Sequence, residues 1–123
     1  MAKKKILIVD DEAELVDLVK IRLEAEGYEV LKAFDGQEGL DKAKLEKPDL
    51  ILLDIMMPKM DGYKVCGLLK MDARFKKIPI ILFSAKAQKE DAELAKEIGA
   101  DLYITKPFEA SVLLAKIREL LGE

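Results

Sequence analysis

Three aspartates, a serine and a lysine stand directly behind short apolar runs, and these are the residues of this chain with chemistry to offer. The run Ile6-Leu7-Ile8-Val9 leads into Asp10 and Asp11, and Leu50-Ile51-Leu52-Leu53 leads into Asp54. Ile78 to Phe83 leads into Ser84, and Leu102-Tyr103-Ile104-Thr105 leads into Lys106-Pro107. Short apolar runs with turn signals behind them read as buried strands of a parallel sheet. In open sheets of that kind, ligands bind outside the carboxyl ends of the strands. The pattern therefore gathers Asp10, Asp11, Asp54, Ser84 and Lys106 on one edge. Carboxylates crowded at a dry edge repel one another and stay ionised only if a hard cation and a lysine join them. That chemistry predicts a Mg²⁺ site with a phosphoryl pocket beside it.

The elements that must position these residues alternate five times between strand and helix. Leu15, Leu18, Val19 and Leu23 repeat at helical spacing until Gly27 stops the helix. A second strand spans Tyr28 to Phe34. Asp35-Gly36-Gln37-Glu38 reads as a cap with a glutamate three residues on, opening a helix to about Glu46 that Pro48 ends. The third strand runs from Asp49 to Asp54. Asp61 and Gly62, read as cap and turn residue, open a helix to about Asp72. The fourth strand is Ile78 to Ser84, followed by a helix from Gln88 to Ile98. Asp101 to Thr105 is the fifth strand, and Glu109 to Leu121 the last helix. Short βα connections force a parallel sheet through right-handed crossovers, with helices on both faces. The expected fold is α/β: a flavodoxin-like, doubly wound (βα)5 sheet of order 2-1-3-4-5, with residues 1–123 as a single domain. That order sets strands one and three side by side, so that Asp10, Asp11 and Asp54 become neighbours.

Composition narrows the function classes. Half of the 123 residues are apolar and 37% are charged, an ordinary globular balance. A net charge of −3 leaves no basic footprint for direct nucleic-acid binding. No stretch has the length of a membrane span, and the four-residue apolar run behind Lys3-Lys4-Lys5 is too short for a signal peptide. The single cysteine, Cys66, reads as a buried inert thiol and fits a reducing, cytoplasmic location. The chain has no histidine, so a phosphohistidine donor must belong to another molecule.

With these segments assembled, the chain closely resembles the receiver domain of two-component response regulators, the CheY-like family. The resemblance covers essentially the whole chain. Its marks are Val9-Asp10-Asp11-Glu12, Leu53 to Gly62, Ser84-Ala85 and Tyr103 to Phe108. It implies that Asp54 accepts a phosphoryl group, in a Mg²⁺-dependent reaction, from a sensor histidine kinase or a histidine phosphotransfer protein. It implies metal ligation by Asp11, Asp54 and the carbonyl of Met56, with Asp10 acting through water. Ser84 matches the switch hydroxyl, Tyr103 the switch aromatic, and Lys106 the lysine of the family motif, ahead of a cis bond to Pro107. Such a protein catalyses only its own phosphorylation and dephosphorylation and is otherwise not an enzyme. The residue types suit these roles: an acyl phosphate on a carboxylate, a point charge from lysine and a donor from serine. Taken singly, several have plainer readings. Asp10 or Asp11 can be a helix cap, Ser84 a loop hydroxyl and Tyr103 a core residue. Met56, Met57 and Met60 line or cover the site.

Two other readings compete. A haloacid-dehalogenase-like phosphatase also forms an aspartyl phosphate, but needs a second aspartate two residues on, where this chain has Met56. A phosphorylation-independent docking domain would not need the intact acidic set. Neither a dinucleotide-binding glycine motif nor a P-loop is present. No output domain follows Glu123, so either a single-domain regulator or an excised receiver is expected. The expected output surface is the helix 4–strand 5–helix 5 face. In the family's transcription factors that face dimerises through salt bridges. Here Ala92, Leu102 and Val112 replace the usual charges and only Lys116 keeps one, so a monomer or weak dimer and an unidentified partner protein are expected. Met56 and Lys86, two residues past Asp54 and Ser84, are expected to flank the water that hydrolyses the acyl phosphate. Neither is a general base at neutral pH, so slow self-dephosphorylation is expected.

Overall fold

The computed structural model describes residues 3–85 and 89–123. Five strands and five helices alternate: β1 (Lys5–Val9), α1 (Ala13–Ala25), β2 (Glu29–Ala33), α2 (Gly36–Glu46), β3 (Leu50–Asp54), α3 (Gly62–Lys70), β4 (Ile80–Ser84), α4 (Lys89–Glu97), β5 (Leu102–Thr105) and α5 (Ala110–Leu121). The strands form one parallel sheet of order β2-β1-β3-β4-β5, as expected for a doubly wound fold. Val9 is in register with Leu53 and Ser84 with Thr105, so the strand ends that carry the polar residues line up on one edge.

Strand residues two apart face the same side, and this divides the core in two. Leu7, Val9, Ile51, Leu53, Ile80 and Leu82 pack beneath α2, α3 and α4. Ile6, Ile8, Leu50, Leu52, Ile81 and Phe83 pack beneath α1 and α5. The central strands are buried on both faces, which is why they read as unbroken apolar runs rather than alternating ones.

Helix ends follow local chemistry. The Asp35 side chain accepts from Glu38 N at 2.8 Å and the Glu38 carboxylate accepts from Phe34 N at 2.7 Å, a reciprocal cap. Asp61 caps α3 by accepting from Lys64 N at 2.9 Å. Gly27 stops α1 at φ 94°, a backbone region that side chains disfavour. Element boundaries differ from the sequence expectation by one or two residues. β2 is shorter by one residue at each end, and α3 ends at Lys70 rather than at Asp72. β4 begins at Ile80, because Pro79 has no N–H to give the ladder, although its carbonyl still accepts from Ile51 N at 3.0 Å. Between α3 and β4, Phe75 is buried from within a turn and closes the lower core, a role with no periodic signal in the sequence.

Candidate functional site

The carboxyl edge of the sheet brings five of the expected residues together. Asp10, directly behind β1, is completely buried, and Asp54, the last residue of β3, is 5% exposed. Asp11 is exposed at the rim. One carboxylate oxygen from each of Asp10, Asp11 and Asp54 lies within 4.8 Å of the others, a spacing that suits a shared cation. Ser84, the last residue of β4, is buried beside them.

Lys106 reaches in from the end of β5. Its backbone N donates to Ser84 O at 2.7 Å, and its bond to Pro107 is cis. Phe108 stacks on Phe83, with ring centroids 5.0 Å apart, which holds this turn against β4. The Lys106 ammonium lies 2.8 Å from Asp10 Oδ2, 2.9 Å from Glu12 Oε1 and 3.6 Å from Asp54 Oδ1. Burial alone would lower its pKa, but the hydrogen bonds to Asp10 and Glu12, with the charges of Asp10 and Asp54, outweigh burial and raise it. Asp10 is bonded on both oxygens, since its Oδ1 also accepts from Glu12 N at 2.9 Å. Neither Asp10 nor Asp11 caps α1; the N-cap position is Glu12. The sequence marks Glu12 only as part of the Val9-Asp10-Asp11-Glu12 motif. Its contact with Lys106, 94 residues away in sequence, has no local signal.

Asp54 stands apart electrostatically. Its carboxyl is pushed up from 3.8 to about 6, first by burial and then by the charge of Asp10, with Lys106 opposing. The site therefore stores repulsion that a cation would relieve. Met56 N faces Asp54 Oδ1 at 3.4 Å, which places the start of the β3–α3 loop over the acidic cluster. Gly62 permits this close return of the chain: a Cβ there would stand 2.2 Å from Asp54 O. Gly62 is thus a close-approach residue at the first position of α3, and its φ is not in the left-handed region.

An open cleft of about 460 Å³ runs from Asp11 and Ser84 past Met56 and Met57 to Tyr63 and Asp91. Met56 is 59% exposed at its mouth, while Met60, expected to cover the site, does not line the cleft and packs instead on the α2 side of the core. Tyr103 is half-buried on the same sheet face as Leu82, next to that core. Cys66 is fully buried, and burial raises its thiol to about 11, as expected of an inert side chain. Lys86 and Gln88, named in the sequence reading, lie outside the described residues. Among the described residues, no helix is long and apolar enough to cross a membrane.

Comparison with known proteins agrees with this geometry. The response regulator receiver domain family matches residues 6–118, and the chain belongs to that family, whose members serve phosphorylation-based signalling in two-component systems. The chain is 47% identical over 118 residues to the alkaline phosphatase synthesis transcriptional regulatory protein PhoP of Bacillus subtilis, covering 96% of this chain and 48% of that one. It is 45% identical over 117 residues to the DNA-binding dual master transcriptional regulator RpaA of Synechocystis, covering 95% and 48%. The chain thus spans about half the length of these curated relatives. A CheY-like receiver domain protein of Methanospirillum hungatei superposes with a TM-score of 0.92 at 37% identity, covering 98% of this chain and 95% of the other.

Proposed function

We propose that this protein is a phosphorylation-dependent switch that takes a phosphoryl group from a phosphohistidine onto Asp54. The observation that carries the proposal is Asp54 itself: a buried, proton-seeking carboxylate between two other aspartates, with a lysine ammonium 3.6 Å away. An Asp54 oxygen attacks phosphorus in line. The P–O bond forms as the P–N bond breaks, and the electron pair leaves on the imidazole of the donor, which takes up a proton from solvent. Lys106, already anchored by Asp10 and Glu12 and 3.6 Å from Asp54 Oδ1, would turn its third N–H to a phosphoryl oxygen on the Asp54 side. Ser84, one residue past the Phe83 that pairs with Asp54 across β3 and β4, supplies a hydroxyl for another oxygen. The donor set fits Mg²⁺, with Asp11, Asp54 and the Met56 carbonyl as direct ligands and Asp10, already bonded on both oxygens, acting through water. When bound there, Mg²⁺ neutralises charge on the phosphoryl oxygens.

On this reading the chain catalyses only its own phosphorylation and dephosphorylation. Its donor is a histidine kinase or phosphotransfer protein, and the phosphorylated form alters the α4–β5–α5 face for a partner. Two observations favour an apolar partner over a salt-bridged dimer at that face. Leu94 and Val112 are 40% and 48% exposed, and Lys116 already pairs with Glu119 of its own helix at 3.8 Å. PhoP and RpaA are named as transcriptional regulators, and we assign to this chain only the part that receives the signal. The direct test is incubation with acetyl phosphate with and without Mg²⁺, followed by borohydride trapping and peptide mass spectrometry. The label should need Mg²⁺ and fall on Asp54; a label on Asp10 or Asp11, or none at all, overturns the proposal.

A further inference from the structure

The loop 55–61 carries Met56 and must hold one course for the Met56 carbonyl to serve a metal. Its ends are fixed by Ile55 N donating to Phe83 O at 3.0 Å and Gly62 N donating to Ile55 O at 2.9 Å. Its middle turns through Lys59, at φ 67°, with Met60 N donating to Pro58 O at 2.8 Å. At that turn the loop rests on the start of α2. A Cβ built on Gly36 would lie 1.8 Å from the Met60 carbonyl oxygen, 2.7 Å from its carbonyl carbon and 2.8 Å from its Cβ. Two of those three atoms are backbone, so no side-chain rotation can make room. The helix is poorly placed to retreat. Its next turn sits directly on β1, where a Cβ on Gly39 would lie 2.6 Å from Val9 Cγ1, and its start is held by the Asp35–Glu38 cap. Lys59 adds a second tie from the loop to the same place, 3.6 Å from Asp35 Oδ2. An atom added at position 36 must therefore be accommodated chiefly by the loop.

We infer that Gly36 is a positioning residue for the metal site: its missing side chain lets α2 serve as the wall that sets the course of the Met56 loop. The inference rests on the proposed Mg²⁺ site and extends it to a residue that touches neither metal nor phosphoryl group. Partners that orient a metal ligand directly are worth about 10–100-fold in affinity. Gly36 acts on Met56 through Met60, so Gly36→Ala should cost up to the lower end of that range, about 10-fold. The loss should be in Mg²⁺ affinity, so that phosphorylation recovers at saturating Mg²⁺. Amide NMR shifts of residues 55–62 should already differ in the metal-free variant.

The experiment is a Mg²⁺ titration followed by amide NMR on the parent, Gly36→Ala, Met60→Gly and Leu23→Ala. Met60→Gly loosens the same contact from the loop side without adding an atom, so it decides the matter if Gly36→Ala does not fold. Leu23→Ala removes core from the α1 side and should lower the thermal midpoint while leaving Mg²⁺ affinity unchanged. Weakened Mg²⁺ binding in the two contact variants, with unchanged binding in Leu23→Ala, supports the inference. Parent-like Mg²⁺ affinity in Met60→Gly and in any folded Gly36→Ala overturns it. Absence of Mg²⁺ binding in the parent overturns the metal-site reading instead.

Discussion

Asp54 is where charge, burial and chemistry meet. Burial and the charge of Asp10 push its carboxyl up from the ordinary 3.8 to about 6, so the fold favours its protonated form. The stability it contributes is therefore greatest below about pH 4, falls as pH rises towards 6 and stays lost above. At neutral pH the penalty is of order 2–3 kcal/mol. Asp54→Asn should make the metal-free protein more stable at pH 7.5, with the advantage over the parent shrinking as pH falls from 6 to 4. Urea denaturation across that range checks it, and a pH-independent difference would contradict the assigned repulsion. Lys106 is the counterpart. Its ammonium is the only cation among the described residues that pairs with the fully buried Asp10. Lys106→Ala strands that carboxylate, a change that typically costs about 3–5 kcal/mol. Millimolar Mg²⁺ should restore part of the loss, as read from denaturation midpoints with and without the ion.

At the scale of elements, β4 and β5 connect the site to the rest of the protein. Ser84 ends β4 opposite Thr105, and Tyr103 sits two residues earlier in β5. If Ser84 meets the phosphoryl group, its movement should be felt along β5, and a useful switch needs a coupling of about 1–3 kcal/mol. Ser84→Ala should still accept phosphate but give smaller amide shifts on α4, β5 and α5. Shifts as large as in the parent would disprove the coupling. The opposite edge of these strands is held differently. Asp101 Oδ2 accepts from both Ile80 N at 2.8 Å and Lys70 Nζ at 2.9 Å, and Lys70 also donates to Ile78 O. Asp101→Ala leaves the Ile80 N–H without its acceptor and should cost about 1–3 kcal/mol in a thermal or urea melt. Phosphorylation at the far edge should be unaffected.

For the molecule as a whole, the proposed Mg²⁺ site would couple folding to cation binding through the acidic edge. A ligand that binds only the assembled cluster stabilises by mass action. The thermal midpoint should rise with millimolar Mg²⁺. Asp11→Ala, which removes a rim carboxylate and part of the repulsion, should start higher and respond much less. Equal responses in both proteins would remove Asp11 from the site.

Much of this was legible in the chain. The apolar runs marked the buried central strands β1, β3 and β4, because a strand covered on both faces has no polar side to show. The capping patterns at Asp35 and Asp61 located two helix starts, because their side chains satisfy backbone groups within four residues. The family motifs named Asp10, Asp11, Asp54, Ser84 and Lys106 as one set. Tertiary structure decided what depends on residues far apart in sequence. The pairing of Glu12 with Lys106 is of that kind, as are the burial of Phe75 from a turn and the contact of Gly36 with Met60. None leaves a periodic or local trace, because each is set by how separate elements come to rest against one another. The elevated pKa of Asp54 belongs with them: the strand ends gather three aspartates on one edge, but the burial that raises Asp54 is set by packing.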